Sequence, residues 1–141
     1  RGHMFCGACA AALGMLLCVQ AALLAVDRVP RIRATATLVQ QLRPWIDHYR
    51  HFYCVNEYVQ TVPFDLKRTC TPVGYRGELD FGLTLEPWRG IPTLPDFVAT
   101  WREQGSALAI MRPRDYLRLQ ALGAPMHVIY TAPSYVAVVR Q

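Results

Sequence analysis

The sequence predicts one N-terminal transmembrane helix followed by a small three-layer α/β domain with a mainly parallel sheet and an antiparallel last strand. Three observations support this fold class. Residues 4–26 contain no Asp, Glu, Lys or Arg, the remainder has an ordinary globular composition, and helix and strand patterns alternate after residue 33. At 141 residues the chain is long enough to form one hydrophobic core and too short to form two independent ones.

Hydrophobic residues make up 52% of the chain and charged residues 18%, which leans apolar for a soluble protein. The excess lies in residues 4–26, of which only Gly7, Gly14 and Gln20 fall outside the hydrophobic set. Without this segment the hydrophobic fraction falls to about 45%, an ordinary globular value. The distribution excludes a disordered chain, a polytopic membrane protein and a plain cytosolic domain.

A helix over residues 4–26 would be about 35 Å long, which exceeds the roughly 30 Å of a hydrocarbon core. We therefore predict a transmembrane helix at 4–26 and a soluble domain at 34–141. A secretory signal peptide with Arg1 and His3 as its basic end, and a buried core helix, remain alternatives. Because the chain opens on Arg1, either the residues before Met4 are an artificial remnant or the chain is the tail of a longer protein.

The basic residues give the chain a net charge of +5. They are scattered without a Lys or Arg run, so the sequence shows no footprint of a nucleic-acid-binding protein. Arg28, Arg31 and Arg33 directly follow the apolar segment, where they would meet anionic headgroups. A lipid bilayer is therefore an expected partner.

Two pairs of cysteines have different expected roles. Cys6 and Cys9 have the spacing of a thiol redox centre, but no strand precedes them, so we interpret them as small lipid-facing residues. Cys54 and Cys70 both fall in predicted strands of the soluble domain. If that domain lies outside the cytoplasm, a disulfide between them is chemically allowed, provided that the strand register brings them together.

The soluble domain alternates between helix and strand patterns along its whole length. Pro44 is predicted to close the first helix and Pro113 to start the last. Residues 74–92 contain four glycines and two prolines, so we predict a long loop there, and such loops are often functional. The predicted helices cover 35–43, 62–68, 95–103 and 113–122, and the predicted strands cover 51–55, 70–73, 107–111, 126–130 and 135–139.

Ligands of α/β sheets bind beyond the carboxyl ends of the strands. In this chain those ends are followed by residues 56–58, residues 74–76 and Arg112, so we expect a functional site there. Motifs for a phosphate loop or a serine nucleophile are absent from the sequence. His48, His51 and Cys54 have ligand-like spacing, but they lack a second ligand pair. We therefore predict no catalytic, cofactor-binding or metal-binding residue in this chain.

A specific resemblance is found in residues 75–83, Tyr-Arg-Gly-Glu-Leu-Asp-Phe-Gly-Leu. This stretch resembles the G-E-L-x-aromatic-G-L stretch in the C-terminal domain of bacterial aminoarabinose transferases, which are lipid A-modifying members of the protein-mannosyltransferase-like superfamily. Residues 56–64 and 111–116 are similar to stretches of related polyprenyl-phosphate-dependent glycosyltransferases. The resemblance extends over roughly residues 5–141, and its most specific part is 75–83.

The resemblance implies an inner-membrane enzyme that moves a sugar from undecaprenyl phosphate, or a similar carrier, to an acceptor such as lipid A. Its last spanning helix would deliver the chain to the periplasm, where the α/β domain would lie over the membrane-embedded site. The catalytic acidic residues of the family lie far upstream and match no residue here. We therefore expect this chain to be inactive alone, and a divalent-metal requirement of the parent enzyme stays open.

Four residues are candidates for contact with the substrate: Asn56, Tyr58, Arg76 and Glu78. Arg76 suits a phosphate, because its planar guanidinium pairs bidentately, and Glu78 would orient sugar hydroxyls. The alternative is a structural role for the motif, in which its glycines shape the loop and its apolar side chains fix the loop to the core. These apolar side chains are Leu79, Phe81 and Leu83.

Two other functions compete with the transferase fragment. One is a stand-alone, membrane-anchored extracytoplasmic binding module, and the other is a secreted α/β domain released by signal cleavage. The reading frame upstream of Arg1 separates them, because only the transferase requires a long series of hydrophobic spans before it.

Overall fold

The computed structural model describes residues 2–27 and 30–140 and divides the chain into two units, 1–33 and 34–141. Helix α1 covers Gly2–Asp27 in the first unit. The transmembrane helix predicted over 4–26 is not found, since no helix among the described residues combines the length and apolar character needed to cross a bilayer. The side chains of Cys6, Cys9, Arg28, Arg31 and Arg33 lie outside the described part, and so do their predicted roles.

Five strands form one mixed sheet in the second unit, in the order β2-β1-β3-β5-β4. Strand β1 is parallel to β2 and β3, whereas β5 is antiparallel to both β3 and β4. The strands are β1 His51–Val55, β2 Thr71–Val73, β3 Ala107–Met111, β4 His127–Thr131 and β5 Val136–Arg140.

The antiparallel last strand agrees with the prediction, but the expectation of a mainly parallel sheet is wrong. A tight turn, in which Ala132 N donates to Tyr135 O over 2.8 Å, joins β4 to β5 and permits only antiparallel pairing. The continuous apolar run of β5 takes the buried place beside β3, whereas β4 is only half-buried and takes the edge. Two of the four strand pairings are therefore antiparallel.

Helices cover both faces of the sheet and give three layers. Because side chains alternate along a strand, Phe52 and Cys54 face one core while Tyr53 and Val55 face the other. Residues 34–46 of α2 and helix α3 pack against the first face, and α5 and α6 pack against the second. These helices are α2 Pro30–Ile46, α3 Thr61–Leu66, α5 Leu94–Glu103 and α6 Pro113–Ala121.

Helix α2 does not end at Pro44, as the sequence predicted, but continues to Ile46 with the proline inside it. A proline removes one backbone donor, and this loss is tolerated here because the last turn contributes to the core. Ile46 is buried on the same face as Leu42, one turn earlier. The burial of the last turn therefore outweighs the local preference of the proline.

The predicted loop at 74–92 contains regular structure. Helix α4 covers Asp80–Leu85, and short 3-10 turns precede and follow it at Gly77–Leu79 and Pro87–Arg89. We call residues 77–90 the arm. None of its residues is fully buried, so it lies on the surface of the domain.

Candidate functional site at the carboxyl edge of the sheet

The parallel strands β1, β2 and β3 end at the same edge of the sheet, and polar residues directly follow β1 and β3. Asn56 and Glu57 follow β1, Gly74 follows β2, and Arg112 follows β3. The structure therefore brings together residues that are far apart in the sequence. Two hydrogen-bonded groups form there, one centred on Asn56 and the other on Glu57.

Asn56 has a φ of +53°, in the left-handed region that Asn tolerates better than most residues. Its backbone N donates to Val73 O over 2.7 Å, and its Nδ2 donates to Asp115 Oδ1 over 2.9 Å. Gly74 has a φ of +64°, and a Cβ there would lie 2.4 Å from Asn56 Oδ1. Because Asn56 Oδ1 lies so close to the backbone of residue 74, that position has no room for a side chain and requires glycine.

Asp115 is the only charged residue that is buried among the described residues. It lies in the first turn of α6, where a carboxylate is favoured by the helix dipole. Arg114 and Arg118 lie 3.6 and 3.5 Å from its oxygens, but Oδ2 accepts no hydrogen bond. The sequence shows Asp115 as an ordinary helix-start residue, and no local signal indicates its contact with Asn56.

Glu57 and Arg112 form a bidentate ion pair across the ends of β1 and β3. Arg112 Nε donates to Glu57 Oε2, and Arg112 Nη2 donates to Oε1 over 2.6 Å. The hydrogen bond from Arg112 and the charge of Glu57 raise the pKa of Arg112 above its ordinary value, and Tyr135 and Asp115 add to this effect. The pair ties two strand ends together.

The other sequence candidates lie around the arm. Glu78 Oε1 accepts from Gln60 Nε2 over 2.6 Å, and Arg76 Nη1 donates to Asp80 Oδ1 over 3.3 Å. Tyr58 stacks on Tyr75 with 6.3 Å between the ring centroids. Among the described hydrogen bonds and ion pairs, none joins Arg76 or Glu78 to the group at Asn56 and Asp115. The four predicted residues therefore occupy two separate places.

The structural role considered for the motif has two parts, and the structure treats them differently. Gly77 has a φ of +31°, in agreement with a glycine that shapes the turn, whereas the apolar side chains of the motif are not members of the described core clusters. Phe81 is 78% exposed, and neither it nor Leu79 nor Leu83 belongs to a core cluster. Leu83 instead lies against Gly90, where a Cβ would meet its Cδ2 at 2.8 Å. Leu79 and Leu83 are therefore partly buried without joining a core cluster, whereas Phe81 is exposed to solvent.

Two open grooves border the arm. One, of about 290 Å³, lies between residues 74–76 and the segment 83–92. The other, of about 450 Å³, lies between the outer edge of β2 and the side chains of Leu79, Leu83 and Trp88. Both volumes are of the size that admits part of a small ligand.

A disulfide joins Cys54 in β1 to Cys70 just before β2, with 6.0 Å between the Cα atoms. Parallel pairing of these strands places Cys54 opposite Pro72, close enough for the bridge. Because Cys54 is bridged, it is not a thiolate ligand beside His48 and His51. No cluster of three or more potential metal ligands occurs in the part of the chain that the structure describes.

A mixed sheet between two layers of helices, with a polar edge and an exposed arm beside it, defines a small three-layer α/β domain. Residues 38–140 match the family model of the aminoarabinose transferase C-terminal domain, and the chain belongs to that family.

Two crystal structures of ArnT from Cupriavidus metallidurans are similar to this chain at 33% identity. One is bound to undecaprenyl phosphate, with a TM-score of 0.80, and the other is in the apo state, with a TM-score of 0.79. Each match covers 91% of this chain and 24% of the ArnT chain, so the chain spans about a quarter of the length of these relatives. No curated protein matches the chain.

Proposed function

We propose that the chain is the C-terminal portion of a bacterial inner-membrane glycosyltransferase, with the α/β domain in the periplasm. The parent enzyme moves a sugar from a polyprenyl-phosphate carrier to an acceptor such as lipid A. The observation that carries the proposal is the family match over residues 38–140, together with the likeness to an ArnT structure bound to undecaprenyl phosphate.

The proposed role of the domain itself is non-catalytic. A general base needs a carboxylate that is free to take a proton near the reacting group. Glu57 is held on both oxygens by Arg112, and Asp115 is buried and held by Asn56. These contacts support a role in fixing the shape of the edge.

The disulfide supports the periplasmic location. Disulfides form and persist in oxidising compartments such as the bacterial periplasm, and they are rare in the cytosol. The bridge between Cys54 and Cys70 lies in the core that α2 and α3 cover, so it belongs to the folded domain.

Arg76 and Glu78 are the proposed substrate-proximal residues. The side chain of Arg76 is 75% exposed, and its one described partner is the exposed Asp80, so a phosphate can replace that partner at little cost. Glu78 is also exposed and offers a carboxylate to sugar hydroxyls. Arg76 also lines the smaller groove, which gives a ligand room beside it.

A stand-alone extracytoplasmic binding module is the second candidate, and the two grooves beside the arm favour it. Such a module, membrane-anchored or secreted, would bind a small ligand without the series of membrane spans that the transferase requires. It would show no sugar transfer in the full-length protein.

The test of the proposed function is sugar transfer by the full-length protein encoded by the complete reading frame. Purified protein is incubated with lipid A and an undecaprenyl-phosphate-linked sugar, and modified lipid A is measured by mass spectrometry. We expect transfer with this donor and none with the free sugar. Absence of transfer from the whole series of undecaprenyl-linked sugars would contradict the proposal.

An Arg76→Ala variant tests the proposed contact with phosphate. We expect transfer to fall about tenfold, the effect of losing one charge-assisted hydrogen bond. Arg43→Ala removes an exposed arginine on α2, outside the arm, and controls for the loss of one positive charge. Equal rates for the two variants would exclude Arg76 from the site.

A further inference from the structure

The larger of the two grooves beside the arm places an exposed aromatic side chain close to hydroxyl groups. It has a volume of about 450 Å³ and lies between the outer edge of β2 and the arm. Trp88 lines it from the arm and is 75% exposed. Thr69 and Thr71 line it from the side of β2. One groove therefore offers both apolar surface and polar groups to a ligand.

The polar groups of the larger groove have hydrogen-bonding capacity that the domain does not use. In the described part of the chain, the hydroxyls of Thr69 and Thr71 and the Nε1 of Trp88 form no hydrogen bond with another protein group. The buried Trp101 differs, because its Nε1 donates to Pro125 O over 2.7 Å. A hydroxyl both donates and accepts, whereas an indole N–H only donates. The groove therefore has donors and acceptors available for a ligand.

The charges of the larger groove favour a neutral ligand. Glu86 and Arg89 are the only charged residues among the described residues that line it, and they form an ion pair with each other. Their side chains are 42% and 70% exposed, so the pair contributes little to stability and can admit a hydroxyl group. The carboxylate accepts and the guanidinium donates, which matches a hydroxyl that does both.

Both walls of the larger groove are held in place. Ile91 N, just after the arm, donates to Pro72 O of β2 over 2.9 Å, and Gly74 N donates to Ile91 O over 2.8 Å. The disulfide from Cys70, which lines the groove, joins the β2 side to β1. The groove is therefore preformed in this structure, which lowers the entropic cost of binding.

We infer that the larger groove is a binding site for a neutral saccharide. The C–H groups on one face of a sugar ring pack on the indole of Trp88, whose ring face is electron-rich. The hydroxyls at the rim of the sugar bond to the two threonines and to the ion pair. A purely apolar ligand would leave these polar groups without partners, and an anion would meet the carboxylate of Glu86. Arg76 does not line this groove, so the site is separate from the contact proposed for phosphate.

The test is saturation-transfer-difference NMR on the full-length protein in phosphatidylcholine nanodiscs, which present no sugar headgroup. The probe is N,N′-diacetylchitobiose, a neutral disaccharide, and no lipid-linked donor is present. We expect saturation of its ring C–H protons, with a signal several-fold weaker in Trp88→Ala. Phe81→Ala should leave the signal unchanged. It is the matched control, because Phe81 is a comparably exposed aromatic residue of the arm outside the set that lines the groove.

Cyclohexanol and N-acetylglucosamine 1-phosphate serve as an apolar and an anionic probe, and we expect a weaker Trp88-dependent signal from each. Three results would overturn the proposal: equal signals in Trp88→Ala and the unsubstituted protein, an equal loss in Phe81→Ala, or a signal from either other probe that is as strong and depends on Trp88. Because binding is measured without sugar transfer, its failure leaves the proposed function untouched.

A second variant, Glu86→Gln, tests the neutrality of the site. It keeps the size of the side chain and leaves Arg89 without its ionic partner. We expect the preference of the Trp88-dependent signal to shift from the disaccharide toward the sugar phosphate. An unchanged preference would show that the ion pair does not face the ligand and would overturn the site as described.

Discussion

The polar side chains at the carboxyl edge of the sheet and the apolar side chains of the arm differ in how far the domain itself supplies their contacts. At the edge, Asp115 and Asn56 are hydrogen-bonded to each other, and Glu57 is held by Arg112. In the arm, Phe81 and Trp88 project from short helices that bury no residue.

This contrast separates the residues that stabilise the fold from the residues that remain available for binding. A buried polar group that loses its partner destabilises the fold, so the network at the edge belongs to the folded domain. An exposed apolar side chain adds little to stability, because folding does not remove it from water. A ligand or partner of this domain is therefore expected at the arm, whereas the polar network at the edge stabilises the fold.

The largest effect expected is that of Gly74→Ala. An alanine would be strained at φ +64°, and its Cβ would displace Asn56 from Asp115, so we expect a loss of about 3 kcal/mol in the free energy of unfolding. Urea denaturation measures the change. Gly82→Ala in the arm is the control, because a Cβ there meets nothing within 4 Å, and it should leave stability unchanged or slightly raised. Equal losses in both variants would break the distinction between the two regions.

A smaller effect is expected for Asp115→Ala. The change leaves Nδ2 of Asn56 without its acceptor, and we expect a loss of about 2 kcal/mol in the free energy of unfolding. Asp115→Asn keeps an oxygen acceptor for Asn56 and removes the charge, so its loss should be smaller. Asp115→Asn could lower the free energy of unfolding as much as Asp115→Ala does. In that case the charge of Asp115 and its ion pairs with Arg114 and Arg118, instead of the hydrogen bond to Asn56, account for most of its contribution to stability.

Much of the fold follows from local pattern. The predictions for β1 and β3 are confirmed to the residue, because each is a continuous run of β-branched, aromatic or aliphatic residues between clear breaks. Pro113 does start α6, in agreement with its fixed φ. The place of β5 between β3 and β4 depends on which strand buries more apolar surface. The alternation of helix and strand patterns along the sequence could not predict this order.

The candidate site was less predictable from sequence. The contact between Asn56 and Asp115 joins residues 59 positions apart, and no local pattern encodes it. In the arm, Leu79, Phe81 and Leu83 resemble core residues in the sequence, yet Phe81 is exposed and the two leucines are only partly buried outside the core clusters. Phe81 shows that apolar character in the sequence does not by itself indicate burial in the core of the domain.

The most direct test of the arm's role is the initial rate of sugar transfer by full-length Glu78→Ala, relative to full-length Glu103→Ala. Glu103 is an exposed glutamate at the end of α5, away from the arm, so it controls for the loss of one negative charge. Both rates are measured with an undecaprenyl-phosphate-linked sugar and normalised to the amount of folded protein. We predict about one tenth of the control rate for Glu78→Ala. Equal rates would contradict a role for the arm at the transfer site.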